Sequence, residues 1–292
     1  MPKRLPRART LKGDPKLAYY DSAGGVAGEP VIALLHSSLA RSEDWENIFP
    51  RLATRYRTIA YDARGHGKSG RASDYTLRAF ADDALRVLRE VAKAPAVLIG
   101  HSLGALTALL AASEAPDLVR AIVLEEPFLA YAKAWDPSRF SALREALGSG
   151  DPAALAKAVA KHPLPSPGPR GERTYGELRG FYAAERVVSY FRDIDPAFID
   201  ARTSGDDPTA SALTETIAKV RSPSLVLAGE PRLGGAVDDA SEWKLKKLPE
   251  VTVKRFPGSG HLIHGFRPEQ FLENIEPFLR KLREAQSSVP GT

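Results

Sequence analysis

Short apolar runs recur along the chain, and stretches with helical periodicity separate them. The runs predict strands at 16–21, 31–36, 57–62, 95–101, 120–125, 223–229 and 251–256. The intervening pattern predicts helices at 43–55, 76–92, 103–113, 210–220, 238–248 and 268–284. Because alternating strands and helices build a sheet with helices on both faces, we expect an α/β fold with a mostly parallel, doubly wound sheet.

The alternation is interrupted between Pro127 and Pro208, where no buried strand is predicted. The pattern there predicts only helices, at 137–147, 152–161 and 175–191, around a segment rich in Pro and Gly at 162–169. Ten of the chain's 23 aromatic residues lie in this interval, and most are expected to hold small helices onto the core. We expect Phe128, Trp135 and Phe181 to line a pocket, which would suit an apolar or aromatic group.

The motif Gly-His-Ser-Leu-Gly at 100–104 follows the apolar run 95–99 and precedes a strong helix former at 105–112. This order predicts a strand, a sharp turn and a helix, with Ser102 at the tip of the turn. Such a turn strains the serine backbone and presents its hydroxyl above the sheet, and flanking glycines prevent collisions with the strand and the helix. Ser102 is therefore the candidate nucleophile.

Three further segments accompany this turn. His36 and Ser37 begin the loop after the strand 31–35, the segment 62–69 reads Asp-Ala-Arg-Gly-His-Gly-Lys-Ser, and 256–261 reads Phe-Pro-Gly-Ser-Gly-His. With these motifs in this order, the chain resembles the α/β-hydrolase superfamily over most of its length.

The resemblance implies the domain organisation of that superfamily. We expect an eight-stranded α/β-hydrolase core formed by 1–127 and 209–292. The interval 128–208 is then the helical cap that roofs the active site.

A serine hydroxyl becomes an effective nucleophile only when a base removes its proton, and the base needs an acid to orient it. His261 is the candidate base, because Gly258 and Gly260 predict a tight loop between a strand and the last helix. Its nearest rival, His264, is expected to face solvent at the start of that helix. The remaining histidines are expected to be structural, pocket-lining or, for the last of them, solvated: His36, His66, His101 and His162.

The acid is where the chain departs from the family pattern. Many relatives carry an aspartate two residues beyond the Gly-Glu pair that ends the next-to-last strand, and Arg232 occupies that position here. We favour Glu126, since zearalenone-type lactonases and certain haloalkane dehalogenases place their acid after the corresponding earlier strand. Glu230 remains the alternative, and Asp238 and Asp239 are more remote because they suit the start of a helix.

Backbone N–H groups are the expected oxyanion hole, because they are already oriented when charge develops on the substrate. Leu103, which follows the nucleophile, is expected to supply one, and Ser38 the second. Ser37 stands where the family usually has glycine, and its side chain is expected to reach the substrate pocket.

Composition excludes several other classes of protein. Four basic residues near the N-terminus account for most of the net charge of +5, and the remainder carries 37 basic against 36 acidic residues, so no nucleic-acid partner is predicted. The chain has no cysteine, and no spacing of His, Asp and Glu predicts a metal site. No apolar run is long enough to span a membrane, and we expect a cytoplasmic protein that needs no cofactor.

Together these features predict a serine hydrolase that cleaves an apolar carboxylic ester or lactone through an acyl-enzyme. Two alternatives remain open: a carbon-carbon bond hydrolase on the same fold, and a ligand receptor that turns over slowly. The sequence predicts neither the substrate nor the oligomeric state.

Overall fold

The computed structural model describes residues 5–130, 136–163, 174–177 and 184–287. Eight strands of these residues form one sheet, in the order β1-β2-β4-β3-β5-β6-β7-β8. They are β1 (Arg9–Leu11), β2 (Leu17–Asp21), β3 (Val31–Leu35), β4 (Thr58–Tyr61), β5 (Ala96–His101), β6 (Val119–Glu125), β7 (Ser224–Ala228) and β8 (Thr252–Arg255). The pairs β1–β2 and β2–β4 are antiparallel and the other pairs are parallel, which confirms the predicted mostly parallel sheet.

Both faces of the sheet are covered, as the continuous apolar runs predict. Successive side chains of β3 enter different cores: Ile32 and Leu34 belong to the same cluster as Phe271, whereas Ala33 and Leu35 belong to that of Leu106. All six residues of β5 are buried. The parallel strands are therefore apolar on both faces, and the doubly wound α/β class is confirmed.

Helices cover these two faces, and further helices lie between β6 and β7. Within the described ranges they are α1 (Phe49–Leu52), α2 (Leu77–Val87), α3 (Leu103–Glu114), α4 (Pro137–Ser149), α5 (Pro152–Lys161), α6 (Ala184–Phe191), α7 (Pro196–Thr203), α8 (Pro208–Ser211), α9 (Leu213–Lys219), α10 (Asp239–Leu245), α11 (Ile263–Phe266) and α12 (Pro268–Ser287). In this part of the chain no helix combines the length and the hydrophobicity that a bilayer span requires.

Four helices between β6 and β7 start at an Asp-Pro pair. The carboxylate of Asp136, Asp151, Asp195 or Asp207 accepts a first-turn N–H group, and the following proline begins the helix. Proline fits there because the first turn of a helix leaves its N–H groups without internal partners. The helical character of this interval is thus encoded locally.

Some predicted boundaries are wrong. The predicted helix 43–55 is a 3-10 turn at Ser42–Trp45 followed by α1, because Pro50 has no N–H with which to continue a preceding helix. The predicted helix 210–220 is divided between α8 and α9 at Ala212. The strand β1 was not predicted, since its residues are mostly exposed and give no apolar run.

The helices between β6 and β7 contact the loops that follow β3 and β4. Arg41 pairs with Asp193, which follows α6, and the N–H of Asp195 donates to the carbonyl of Gly65 at 2.8 Å. The ring of Phe198 packs against that of His66, with centroids 4.6 Å apart. These contacts place the region of α6 and α7 over the carboxyl ends of β3 and β4.

Candidate active site

Ser102 occupies a sharp turn between β5 and α3. Its backbone angles are φ 52° and ψ −111°, a conformation that costs energy for any residue with a side chain. A Cβ atom at Gly104 would collide with the carbonyl of Leu35, and one at Gly100 would collide with the carbonyl of Gly104. The two glycines therefore let α3 start directly against β3 and β5, and the expected elbow geometry is present.

His261 lies in the loop after β8, with its ring next to Glu126. Nδ1 of His261 is 3.3 Å from Oε2 of Glu126. The Glu126 carboxylate is fully buried, and it also accepts the N–H of Gly229 at 2.6 Å and the N–H of Ala236. A carboxylate held by two backbone donors has a fixed orientation, so it can fix the ring that contacts it.

Glu230, the alternative acid, has other partners. One carboxylate oxygen accepts the N–H of Gly258 at 3.0 Å, and the other pairs with Arg232. The hydrogen bond from Arg232 is the main cause that lowers the pKa of Glu230. Arg232, which replaces the usual aspartate, therefore forms an ion pair with Glu230, and Glu126 makes the contact with the His261 ring.

The loop after β3 is fixed by the ring of His36. Its Nδ1 donates to the carbonyl of Ser37 at 2.7 Å, and its Nε2 accepts the N–H of Ala63 at 2.9 Å. Burial lowers the pKa of His36, which keeps the ring neutral and able to accept. The Ser37 hydroxyl donates to the carbonyl of Ser38 at 3.2 Å, so Ser38, predicted at the oxyanion hole, and Ser37, predicted at the substrate pocket, lie in one turn.

The first residue of α3 is Leu103, whose N–H is one of the four that an α-helix leaves without an internal partner. A Cβ atom at Gly104 would collide with the carbonyls of Leu35 and His36, so the start of α3 lies directly against the end of β3. The N–H of Leu103 and the Ser37–Ser38 turn therefore lie at neighbouring points of the same sheet edge.

Only part of the predicted pocket lining can be placed. Phe128 is half-buried and follows Glu126 by two residues. Trp135 and Phe181 lie outside the described residues. The Pro- and Gly-rich segment predicted at 162–169 is described only as far as Pro163.

Two expectations about histidines are wrong. His162 is buried rather than solvated: its ring packs against those of Phe140 and Tyr175, and burial lowers its pKa to about 4. His264 is fully buried rather than exposed. The short helix α11 turns it inward, so the start of the last helical region is not a solvated surface.

Sequence reasoning also missed the partners of His264. Its Nδ1 lies 2.7 Å from Oε2 of Glu125, and its Nε2 lies 3.4 Å from Oδ2 of Asp44, an ion contact without hydrogen-bond alignment. Burial alone would lower the pKa of His264, but the two carboxylates outweigh it and raise the pKa to about 10. The sequence did contain a signal for these partners. Two consecutive glutamates end an apolar strand, and because such a strand end is buried, their carboxylates need partners there.

Asp44, His101 and His264 bring three ligand-type atoms within 4.8 Å of one another. A metal ligand must offer a lone pair, and both nitrogens of His264 face carboxylates in a site that favours the imidazolium. The chemistry of this group is therefore that of an ion network.

Comparison with known proteins agrees with this geometry. A family model of the α/β hydrolase fold matches residues 30–268. The chain belongs to this family. The match spans the Ser102 elbow, both candidate acids and the His261 loop, so the predicted α/β-hydrolase fold is confirmed, and membership supports hydrolase activity.

Three similar proteins illustrate the range of the family. The chain is 29% identical to a 2-(acetamidomethylene)succinate hydrolase of Mesorhizobium japonicum, over 86% of this chain and 88% of that protein. It is 25% identical to an sn-1-specific diacylglycerol lipase of Mus musculus, over 89% and 84%. The crystal structure of an enol-lactonase from Burkholderia xenovorans has the same fold, with a TM-score of 0.72 at 21% identity, over 93% of this chain and 100% of that one.

Proposed function

We propose that this protein is a serine hydrolase that cleaves a carboxylic ester or lactone through an acyl-enzyme on Ser102. The observation that carries the proposal is the contact between the buried carboxylate of Glu126 and Nδ1 of His261, beside an elbow that strains Ser102. An ordered carboxylate at Nδ1 selects the tautomer whose Nε2 can accept a proton. In this proposal Ser102 is the nucleophile and His261 the base, as predicted from the sequence, and Glu126 is the acid.

The reaction starts when His261 takes the proton of Ser102 at Nε2 and the serine oxygen attacks the substrate carbonyl carbon. The N–H groups of Leu103 and Ser38 stabilise the negative oxygen of the tetrahedral intermediate. When the intermediate collapses, the bond to the leaving alkoxide breaks and His261 returns the proton to it. A water molecule, activated by the same ring, then hydrolyses the acyl-enzyme and restores Ser102.

The family relationship supports hydrolysis, and the ester or lactone bond is the finer part of the proposal. The names of similar proteins include a lipase and a lactonase. The similarity to a 2-(acetamidomethylene)succinate hydrolase, over most of both chains, favours that compound as a second substrate class to test. No observation favours a carbon-carbon bond hydrolase or a receptor more specifically.

The interval 128–208 is, in this proposal, the cap that selects the substrate. Its described helices contact the loops after β3 and β4, and Phe128 leaves the strand end that carries Glu126. We assign Trp135 and Phe181 to the same role on their sequence position alone. An apolar small molecule is the ligand that such a lining would favour.

A covalent probe tests the proposal directly. A fluorophosphonate should label the wild-type protein and leave Ser102→Ala unlabelled, and Ser113→Ala, which changes another serine on α3, should be labelled normally. The wild-type protein should turn over at least one compound of a panel of p-nitrophenyl esters, lactones and 2-(acetamidomethylene)succinate. Ser102→Ala should lose this turnover as well as the labelling. Equal labelling of Ser102→Ala would refute the nucleophile, and labelling without turnover of any substrate would favour the receptor.

A further inference from the structure

The two consecutive glutamates at the end of β6 both contact the region that carries His261. Glu126 contacts the imidazole itself. Glu125 accepts the N–H groups of Ile263 at 2.7 Å and His264 at 2.8 Å through one oxygen, and the ring N–H of His264 through the other. One carboxylate thus holds the ring of His261, while the other holds the backbone two and three residues later.

Glu125 also contacts the nucleophile. Its carbonyl accepts the N–H of Ser102 at 3.0 Å. The residue before the nucleophile, His101, donates from Nε2 to the carbonyl of His261 at 2.8 Å. Burial lowers the pKa of His101 to about 3, so this ring stays neutral. The end of β6 therefore joins the backbone of the nucleophile to the backbone of the base.

The network around Glu125 is charged and has little freedom to move. The side chains of Glu125 and His264 are fully buried, and Asp44 is nearly so. The ring of Trp45 stacks on His264 with centroids 4.1 Å apart, a geometry that favours a cationic ring. Burial disfavours a charged Glu125, but the His264 imidazolium outweighs it and lowers the pKa of the carboxyl.

We propose that Glu125, with His264 as its ionic partner, is a positioning residue that sets the distance between the His261 ring and Ser102. This inference rests on the proposed function of these two residues. The contact with Glu126 restrains one atom of the ring, and the bond from His101 restrains the carbonyl of residue 261, but neither holds the backbone that follows. The bonds of Glu125 to residues 263 and 264 supply that restraint, and a shift of about 1 Å in a reacting group can cost about 10²-fold in rate.

Glu125→Gln tests the inference with little change in volume. The amide oxygen can accept the two backbone N–H groups only if the amide nitrogen faces the N–H of His264 Nδ1, where two donors oppose each other. Glutamine therefore cannot keep all three bonds, and the His264 ring and the loop that carries it have to shift. We expect kcat for an activated ester to fall by about 10²-fold with KM changed by less than about twofold. The rate of fluorophosphonate labelling of Ser102 should fall in parallel.

Asp83→Asn is the matched control. Asp83 is also a buried carboxylate in an ion pair, 2.7 Å from Arg64, and it lies on α2 away from the His261 loop. Asp83→Asn makes the same chemical change as Glu125→Gln, and it should lower the melting temperature of the protein while leaving kcat within about twofold of wild type. The comparison separates loss of stability from loss of position.

A double-mutant cycle with His261→Ala identifies the route of the effect. If Glu125 acts through the position of His261, then Glu125→Gln has no further effect on the residual rate of His261→Ala. A purely structural role would lower that residual rate by the same factor as in the wild-type background. Should Glu125→Gln not fold, His264→Gln breaks the same ion pair from the other side and carries the same expectations.

The outcomes separate this inference from the proposed function. Full activity of Ser102→Ala would refute the proposed function. If Ser102→Ala is inactive and His261→Ala keeps only a residual rate, while Glu125→Gln matches Asp83→Asn in kcat, the positioning role is overturned and the proposed function stands. The positioning role is also overturned if Glu125→Gln lowers the rate by the same factor in the His261→Ala background as in wild type.

Discussion

Oε2 of Glu126 lies 3.3 Å from Nδ1 of His261, across 135 positions of sequence. Glu126 adopts a positive φ of 51°, just after β6, and the chain that follows β7 folds around its carboxylate. Gly229 and Ala236 supply N–H groups from that chain. The segment where relatives usually carry the acid thus supplies hydrogen-bond donors to an acid from the neighbouring strand.

This arrangement predicts a large effect of Glu126→Gln. The amide cannot accept at both positions, so it loses a backbone donor or the contact with His261. Removing the orienting carboxylate of a serine protease triad can lower kcat by about 10⁴-fold, and we expect a loss approaching that size here. The measurement is kcat on an activated ester, with circular dichroism to verify folding.

Glu230→Gln is the control for this prediction. Glu230 pairs with Arg232, whose side chain is largely exposed, and with the N–H of Gly258. Its replacement should leave kcat near normal, because exposed pairs contribute little. An inactive Glu230→Gln together with an active Glu126→Gln would reverse the assignment.

Local sequence is sufficient to predict the elbow. The strand, the serine and the flanking glycines lie within a few residues of one another, and the collision that excludes a larger residue at Gly100 is with the turn itself. The collision at Gly104 is with the end of β3, which is remote in sequence, but it is not needed to recognise the motif. The parallel sheet is predictable for a similar reason, since its strands are buried on both faces and read as continuous apolar runs.

The choice of acid and the burial of His264 depend on tertiary contacts. Glu126 and Glu230 both follow parallel strands at one sheet edge, and what distinguishes them is the backbone angle of Glu126 and the path of the chain after β7. His264 is buried because Asp44 and Glu125, both remote in sequence, receive it. No periodicity near residue 264 carries that information.

Gly104→Ala should disrupt the elbow. The new Cβ would meet the carbonyl oxygens of Leu35 and His36, which belong to backbone and cannot move alone. We expect the free energy of unfolding to fall by about 2 kcal/mol or more, together with loss of esterase activity. Gly24→Ala is the control, because its nearest neighbour, the Ser22 carbonyl, is 4.0 Å away, and a normal melting curve is expected. Wild-type activity of Gly104→Ala would contradict the elbow argument.

Two arginines join α6 to the region after β3. Arg41 lies over the ring of Tyr190 and pairs with Asp193, and Arg186 bonds the Tyr190 hydroxyl and Glu46. If α6 belongs to a cap that selects substrates, Arg186→Ala should change the ratio of kcat/KM between short and bulky esters severalfold, with little change in melting temperature.

The control for this prediction is Arg144→Ala. Its bidentate pair with Asp200 joins α4 to α7 within the helical interval and is exposed. Its loss should leave the substrate ratio unchanged. Equal ratios in wild type and Arg186→Ala would show that this contact does not influence selection.

The ion network predicts how stability depends on pH. The pKa of His264 is raised from about 6.5 in an unfolded chain to about 10 in the folded protein. The folded state therefore retains a proton that the unfolded state loses, so the stabilisation is fully present below pH 6.5 and is lost as the pH rises towards 10.

Chemical denaturation of wild type and His264→Gln should show a difference in unfolding free energy that shrinks across this interval, by up to about 1.4 kcal/mol per pH unit. Titrating groups that do not contact residue 264 are common to both proteins and cancel in the difference, whereas Glu125 and Asp44 lose their cationic partner in His264→Gln and are part of the measured effect. If the unfolding free energies of the two proteins change in parallel with pH, His264 is neutral in the folded protein. The description of the network around Glu125 as charged would then be wrong.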